Sequence, residues 1–152
     1  MDARTEYKKF WDCFHEVWME NGGESLFTYA QKDYWAVLDS NEPTWVTPHI
    51  SIDFGFRGQY IRLNVHCYKQ YDLFKMIQNH RQEHEKNIGE KLDFFVSGKG
   101  NARIKIEYPV SIGDTEEYAA AIEKILPVLL KFRNEFKELV RAWNQYMETY
   151  DL

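Results

Sequence analysis

The sequence predicts an α+β fold: a mainly antiparallel sheet built from two β-hairpins, with helices packed on one face. Three observations predict it. Apolar residues near both ends of the chain recur at i, i+3, i+4 and i+7, the period of a helix. In the middle the apolar period drops to two, in two separate places. Each period-two pair is joined by a short glycine-containing link, so its strands pair with each other and run antiparallel. The expected order is α-(x)-β-β-α-β-β-α, where x is a short element between Glu24 and Pro48. A chain of 152 residues suits one domain, 1–152. A core of that size buries about two thirds of the unfolded chain's surface.

The first helix is expected over Ala3 to Asn21. Tyr7, Phe10, Trp11, Phe14, Val17 and Trp18 share a face, Asp2 supplies an N-cap, and Asn21-Gly22-Gly23 a stop. "SLFTYAQKDYWAVL" satisfies a short helix or a strand equally, and "DSNEPTW" is a loop by its Asn, Ser and Pro content. In "HISIDFGF" the apolar positions are Ile50, Ile52, Phe54 and Phe56; in "QYIRLNVHCY" they are Ile61, Leu63, Val65 and Cys67, with Arg57-Gly58 as the turn. "YDLFKMIQNHRQEHEKNIG" reads as one helix, capped by Asp72 and ended by Gly89. The second hairpin sets Leu92, Phe94 and Val96 against Ile104, Ile106 and Tyr108 across "GKGN", and Pro109 ends the pairing. Asp114 and Glu117 open the last helix as a capping box, and its stripe runs from Tyr118 to Trp143. Pro127 falls inside that stripe. Its missing N–H and its ring cost about 3 kcal/mol, so a kink or a break near Leu126 is expected.

Composition narrows the class. A net charge of -5 argues against a generally basic nucleic-acid binder, although a local basic stripe still acts through its own field. Cys13 and Cys67 lack the repeated spacing of a disulfide framework or zinc ribbon, and read as buried free thiols. The first residues lack the apolar stretch of a signal peptide. No segment approaches the roughly 20 apolar residues of a membrane span. The expected setting is cytoplasmic.

One motif spells chemistry. His80-Arg81-Gln82-Glu83-His84 reads H-x-x-E-H, the spelling of the inverted zinc-protease motif. Two histidines four apart on a helix share a face and can hold a metal. Glu83 would then be the base for bound water, and Glu135, Glu138 or Glu148 a third ligand. Yet Leu73, Ile77, His80, His84 and Ile88 form one stripe, so the histidines equally edge the core. The expectation is no metal and no cofactor, with His80 and His84 as the metal candidates of a small zinc-dependent hydrolase otherwise. Asp93 with the Lys105-Glu107 pair is the nearest approach to a nuclease pattern. Its order is wrong, and it reads as cross-strand surface charge.

Strand alternation yields a more informative set. If the apolar residues face the helices, the other face carries His49, Ser51 and Asp53 beside Tyr60, Arg62, Asn64, His66 and Tyr68. The second hairpin adds Asp93, Phe95, Ser97, Arg103, Lys105 and Glu107. Aromatics interleaved with Arg, Lys, Asn and His suit the stacking of bases and the neutralising of phosphates. They suit a protein partner or a second copy equally, since Tyr and Arg anchor such contacts. The expected binding residues on this exposed face are Tyr60, Arg62, Asn64, His66, Tyr68, Arg103 and Lys105.

"LFKMIQNHRQEHEKNIGEKLDFF", with Phe74, Arg81, Glu85, Gly89, Leu92 and Phe94 at its pattern positions, resembles a bacterial family catalogued as domain of unknown function 4268. "YKKFWDCFHEV", "KDYW" and "LLKFRNEFKEL" resemble it too, so the likeness covers nearly the whole chain. Members often lie C-terminal to nuclease-like regions, some linked to restriction or defence. No catalytic residues are established for the module, so the resemblance implies none. The family usually has an aliphatic residue at the His84 position, which favours the helix-face reading over a zinc ligand. Together these readings point to a non-catalytic interaction module, protein-binding or self-associating, of a bacterial DNA-processing or defence system. The alternatives are a nucleic-acid-binding accessory domain and the zinc hydrolase.

Overall fold

The computed structural model describes residues 3–21, 27–29, 35–38, 47–55 and 58–150. Asp2, Gly22-Gly23, Phe56, Arg57 and the predicted loop 39–45 lie outside them. The elements are α1 (Ala3–Glu20), β1 (Phe27–Tyr29), β2 (Trp35–Leu38), β3 (His49–Phe54) and β4 (Tyr60–His66). Next come α2 (Tyr71–Asn79), α3 (Arg81–Ile88), β5 (Asp93–Val96), β6 (Ala102–Pro109), a 3-10 turn (Thr115–Glu117) and α4 (Tyr118–Tyr150). This is the α+β architecture expected. The ambiguous stretch before Pro48 supplies two strands, β1 and β2, and these extend the antiparallel sheet to the order β1-β2-β3-β4-β6-β5.

Period-two alternation does its work in β3, β4 and β6. Ile50, Ile52 and Phe54, then Ile61, Leu63 and Val65, then Ala102, Ile104 and Ile106 are all buried on the helix side. Against them lie Phe10, Trp11, Phe14 and Trp18 of α1, Leu73, Phe74 and Ile77 of α2, and Ile122, Leu129, Phe132 and Phe136 of α4. Each such side chain contributes about 1.5–3 kcal/mol of transfer free energy. Phe10 meets Phe54 and Tyr118 edge-on at 4.7 and 5.3 Å, the arrangement that aromatic quadrupoles favour. Cys67 is fully buried, and burial pushes its thiol up to about 12, so it is inert at neutral pH.

A buried acid ties the two long helices together. Glu6 of α1 accepts hydrogen bonds from Lys9 Nζ (3.2 Å), Thr115 Oγ1 (3.2 Å) and Tyr118 Oη (3.1 Å). The Tyr118 hydroxyl in turn accepts the Gly113 N–H at 2.7 Å. Thr115 is thus engaged with α1, and Asp114 makes no side-chain cap, contrary to the capping box expected there.

Three further expectations are corrected. The segment 71–88 is two helices, because the ladder breaks at His80 (φ -109°, ψ 25°), which closes α2 and opens α3. Asp72 lies inside the first turn of α2; Gln70 precedes the helix, and its side chain accepts from Trp143 Nε1 at 3.1 Å. Finally, α4 runs unbroken through Pro127. Pro127 and Glu123, whose carbonyl would have been its partner, are both exposed, on the side of α4 away from the core.

Arg81, Glu85 and Leu92 form a clamp between α3 and β5. Glu85 Oε2 accepts from Arg81 Nε (3.1 Å) and from the Leu92 N–H (2.7 Å), while Arg81 Nη2 donates to the Leu92 carbonyl (3.0 Å). Gly89 ends α3 at φ 84°, a left-handed position that favours glycine. Phe94 packs edge-on against Phe74 at 5.6 Å, with the Arg81 guanidinium 5.4 Å from its ring centre. These six residues therefore set where β5 begins.

Candidate functional site

Cross-strand register sorts the polar face into rows, because directly opposed residues share a face. The first row is Phe95, Arg103, His66 and His49, on β5, β6, β4 and β3. The second is Asp93, Lys105, Asn64 and Ser51, and the third is Glu107, Arg62 and Asp53.

The third row is electrostatically closed. Asp53 takes a bidentate pair from Arg62, Nε to Oδ1 and Nη2 to Oδ2, both at 2.9 Å. Asn64 Nδ2 adds a bond to Asp53 Oδ1 at 3.0 Å and reaches Ser51 Oγ at 3.3 Å. The second row is closed as well. Lys105 lies between Asp93, at 3.6 Å, and Glu107, with its ammonium 5.3 Å from the Phe95 ring centre.

The first row differs. Among the described residues its ionisable members are Arg103, His66 and His49. The two imidazoles stack at 4.6 Å and 24°. His49 Nδ1 donates to the Thr47 carbonyl at 2.8 Å, and His66 Nε2 lies 2.9 Å from Ser51 Oγ. The same hydroxyl accepts from Asn64 Nδ2 at 3.3 Å, so Ser51 joins His66 to the second row. Burial holds His66 well below the usual histidine range, and His49, Arg103 and Arg62 push it further down. Burial lowers His49 too; Arg103 adds to this, and the Thr47 carbonyl and Asp53 oppose it. Both rings are neutral at pH 7.

At the end of this row is a cavity of about 370 Å³, lined by His49, His66, Tyr68, Ser97, Lys99, Asn101 and Arg103. Its walls are fastened to each other. Lys69 N–H donates to the Gly100 carbonyl and Ser97 N–H to the Asn101 carbonyl, both at 2.8 Å. Lys69 itself takes φ 57°, an uncommon value for a residue with a side chain.

The predicted binding residues therefore divide. His66, Tyr68 and Arg103 come together at the cavity, Asn64 and Lys105 belong to the second row, and Tyr60 and Arg62 lie toward the other end. Tyr60 serves the packing, since its ring covers Gly55 so closely that a Cβ added there would overlap it. The exposed face expected from alternation is corrected. His49, Ser51, Asp53, Asn64 and His66 are buried, Asn64 completely. Asp53, Ser51 and His66 find side-chain partners across strands and His49 bonds to the Thr47 carbonyl, whereas Asn64 uses its Nδ2 and leaves its buried Oδ1 without a hydrogen bond. Asn64 and His66 are thereby closed to a ligand, whereas Tyr60 and Tyr68 are half-buried and Phe95 is exposed. Sequence reasoning left Ser97, Lys99 and Asn101 out of the binding set. The signal for them was the hairpin itself, since a turn centred on Lys99 lies at the end of the row that holds Arg103.

The H-x-x-E-H spelling does not assemble a metal site among the described residues. His80 is exposed, at the break between α2 and α3, whereas His84 packs 5.1 Å from the Phe136 ring and 3.4 Å from Glu135 Oε1. Glu135 also accepts from Asn87 Nδ2 at 3.0 Å, Glu138 pairs with Arg141, and the Glu148 side chain is outside the described residues. Among the described residues no group of three or more His, Cys, Asp or Glu side chains is placed to hold a metal. Ser51 and His66 have the contact of a nucleophile–base pair. Serine at 3% exposure admits no substrate, and an imidazolium beside Arg103 and Arg62 is disfavoured.

No helix among the described residues is long and apolar enough to cross a membrane. No family model and no curated protein matches the chain. Among solved structures it is similar to a chain of the crystal structure of the ExsC-ExsE complex, at 13% identity and a TM-score of 0.42, over 92% of this chain and 97% of that one.

Proposed function

We propose that the chain is a non-catalytic interaction module that binds an extended segment of a partner protein along the open edge of β5. The observation that carries this is the state of that edge. β5 ends the sheet, and it exposes Phe95 (43%) on the polar face and Val96 (51%) on the other. The Ser97–Asn101 hydrogen bond sets the hairpin's alternation, so Phe95 bonds to β6 while the N–H and C=O of Phe94 and Val96 point outward. Edge strands are commonly guarded by lysine, proline or a bulge. "DFFV" has none of these, and only Asp93 at its start is charged. An added strand gains main-chain bonds from Phe94 and Val96 and apolar contact from Phe95 and Val96, which is β-augmentation. The clamp from Arg81 and Glu85 to Leu92 holds the edge ready, and so reduces the ordering cost of binding. The sequence resemblance supports a bacterial DNA-processing or defence setting.

The test is selection of random displayed peptides against the folded chain, repeated with Val96→Lys. Val96 is half exposed, so the lysine leaves the fold intact while guarding the edge. The reading expects peptides that bind the parent and are lost with Val96→Lys. Peptides bound equally by both would overturn it. Light scattering on the same samples shows whether the edge is taken by a second copy instead.

A further inference from the structure

Resting on that reading of the edge, we propose how it is occupied when no partner segment is bound: β5 pairs with β5 of a second copy, antiparallel, about a two-fold axis at Phe95. The free stretch of edge has fixed ends. Asp93, Phe95 and Ser97 bond to β6, so the outward main-chain groups are those of Leu92, Phe94 and Val96. Leu92 is already engaged, its N–H by Glu85 Oε2 at 2.7 Å and its carbonyl by Arg81 Nη2 at 3.0 Å. Beyond Ser97 the chain turns at Gly98 and Lys99. Phe94 and Val96 remain, with Phe95 at their midpoint. An axis at Phe95 sets Phe94 opposite Val96 of the second copy, and every outward N–H and carbonyl of the two residues finds a partner. An axis at Phe94 would instead oppose Val96 to the occupied Leu92, and an axis at Val96 would oppose Phe94 to Gly98 in the turn.

The side chains agree with this register. Phe95, 43% exposed, falls opposite itself at a non-hydrogen-bonded position, where cross-strand side chains come closest. On the other face the exposed Val96 meets Phe94 of the second copy. The charges are complementary when the strand is reversed. Asp93, with its side chain 65% exposed, falls opposite Ser97 and diagonal to Lys99. Lys99 is on that face, because it shares the cavity wall with His66 and Arg103. The residues between Asp93 and Lys99 carry no charge, so none meets its like there.

The experiment traps the register by disulfide formation in the folded full chain carrying Cys13→Ser, with Cys67 fully buried. Phe95→Cys sets two thiols opposite each other, with Cα atoms about 4.5 Å apart, within reach of a disulfide. Val96→Cys is as exposed, but lies about 7–8 Å from its own copy across the diagonal, too far to bridge. On oxidation Phe95→Cys should therefore link into dimers at least about fivefold faster than Val96→Cys. In sedimentation of the parent between about 10 and 500 µM, a concentration-dependent dimer is expected, since so small a contact belongs to the weak class of interfaces. Phe95→Lys removes the aromatic pair and sets like charges face to face, and should weaken the dimer at least about tenfold. A parent that stays monomeric throughout, or equal linking of Phe95→Cys and Val96→Cys, would overturn the pairing. The pairing and the partner reading fail separately. A monomeric parent that still selects peptides lost with Val96→Lys overturns the pairing alone. A trapped Phe95→Cys dimer with no selectable peptide supports the pairing and removes the partner reading. A selected peptide that converts the parent dimer to monomer supports both.

Discussion

Two ends of one sheet face use the same kinds of side chain to opposite effect. In the third row, Glu107, Arg62 and Asp53 alternate in charge, and Asp53 accepts three hydrogen bonds from Arg62 and Asn64. In the first row, Arg103 stands beside two stacked, neutral histidines and opens onto a cavity. Polar residues on a strand are therefore not a site in themselves. What matters is whether their neighbours across the sheet complete them.

That contrast can be broken most readily at Asp53. Asp53→Ala leaves Arg62 without its paired carboxylate and Asn64 with only Ser51 Oγ as acceptor, and should destabilise the fold by about 3–5 kcal/mol in urea denaturation. A loss under about 1 kcal/mol would mean that the third row is not the closed structural unit described. Asn64→Ala follows, at about 1–3 kcal/mol, because it removes a fully buried bridge between the rows.

The first row should reveal itself through pH. Both histidines titrate below 6.5 in the folded protein, so the unfolded chain binds protons more tightly than the native one. Stability is therefore complete above about pH 6.5 and declines as the pH falls below it, by at most about 1.4 kcal/mol per pH unit for each histidine. The lowered carboxyls Glu6 and Glu85 titrate below 4.5, so the window between 5 and 6.5 belongs to the imidazoles. Urea melts at pH 7 and pH 5 measure the decline, and His66→Gln should reduce its slope. An unchanged slope would contradict the buried, neutral assignment. The smallest effect is expected at Lys99→Gln, within about 0.5 kcal/mol of the parent in thermal melts, since an exposed loop cation supports no packing. A larger loss would mean that Lys99 supports packing at the β5–β6 turn.

Much of this was legible in the sequence. Alternation in "HISIDFGF" and "QYIRLNVHCY" assigned the core residues and their polar counterparts, and "GKGN" set the β5–β6 register. Gly89 announced the left-handed end of α3. The break at His80 was not legible, because the apolar stripe runs through it. Asp114 had the right spacing for a cap, but Thr115 and Tyr118 were drawn to Glu6, more than a hundred residues away in sequence.

By itself the sequence determined which side chains share a face, because that follows from the covalent geometry of a strand and requires no knowledge of its neighbours. Only the tertiary structure decided that β6, and not β5, lies beside β4. From that order come the rows: Arg103 falls beside His66, Lys105 beside Asn64 and Glu107 beside Arg62. Which charges are cancelled, which histidines are stripped of water and where a cavity remains all depend on those long-range neighbours. Local periodicity carries no information about them.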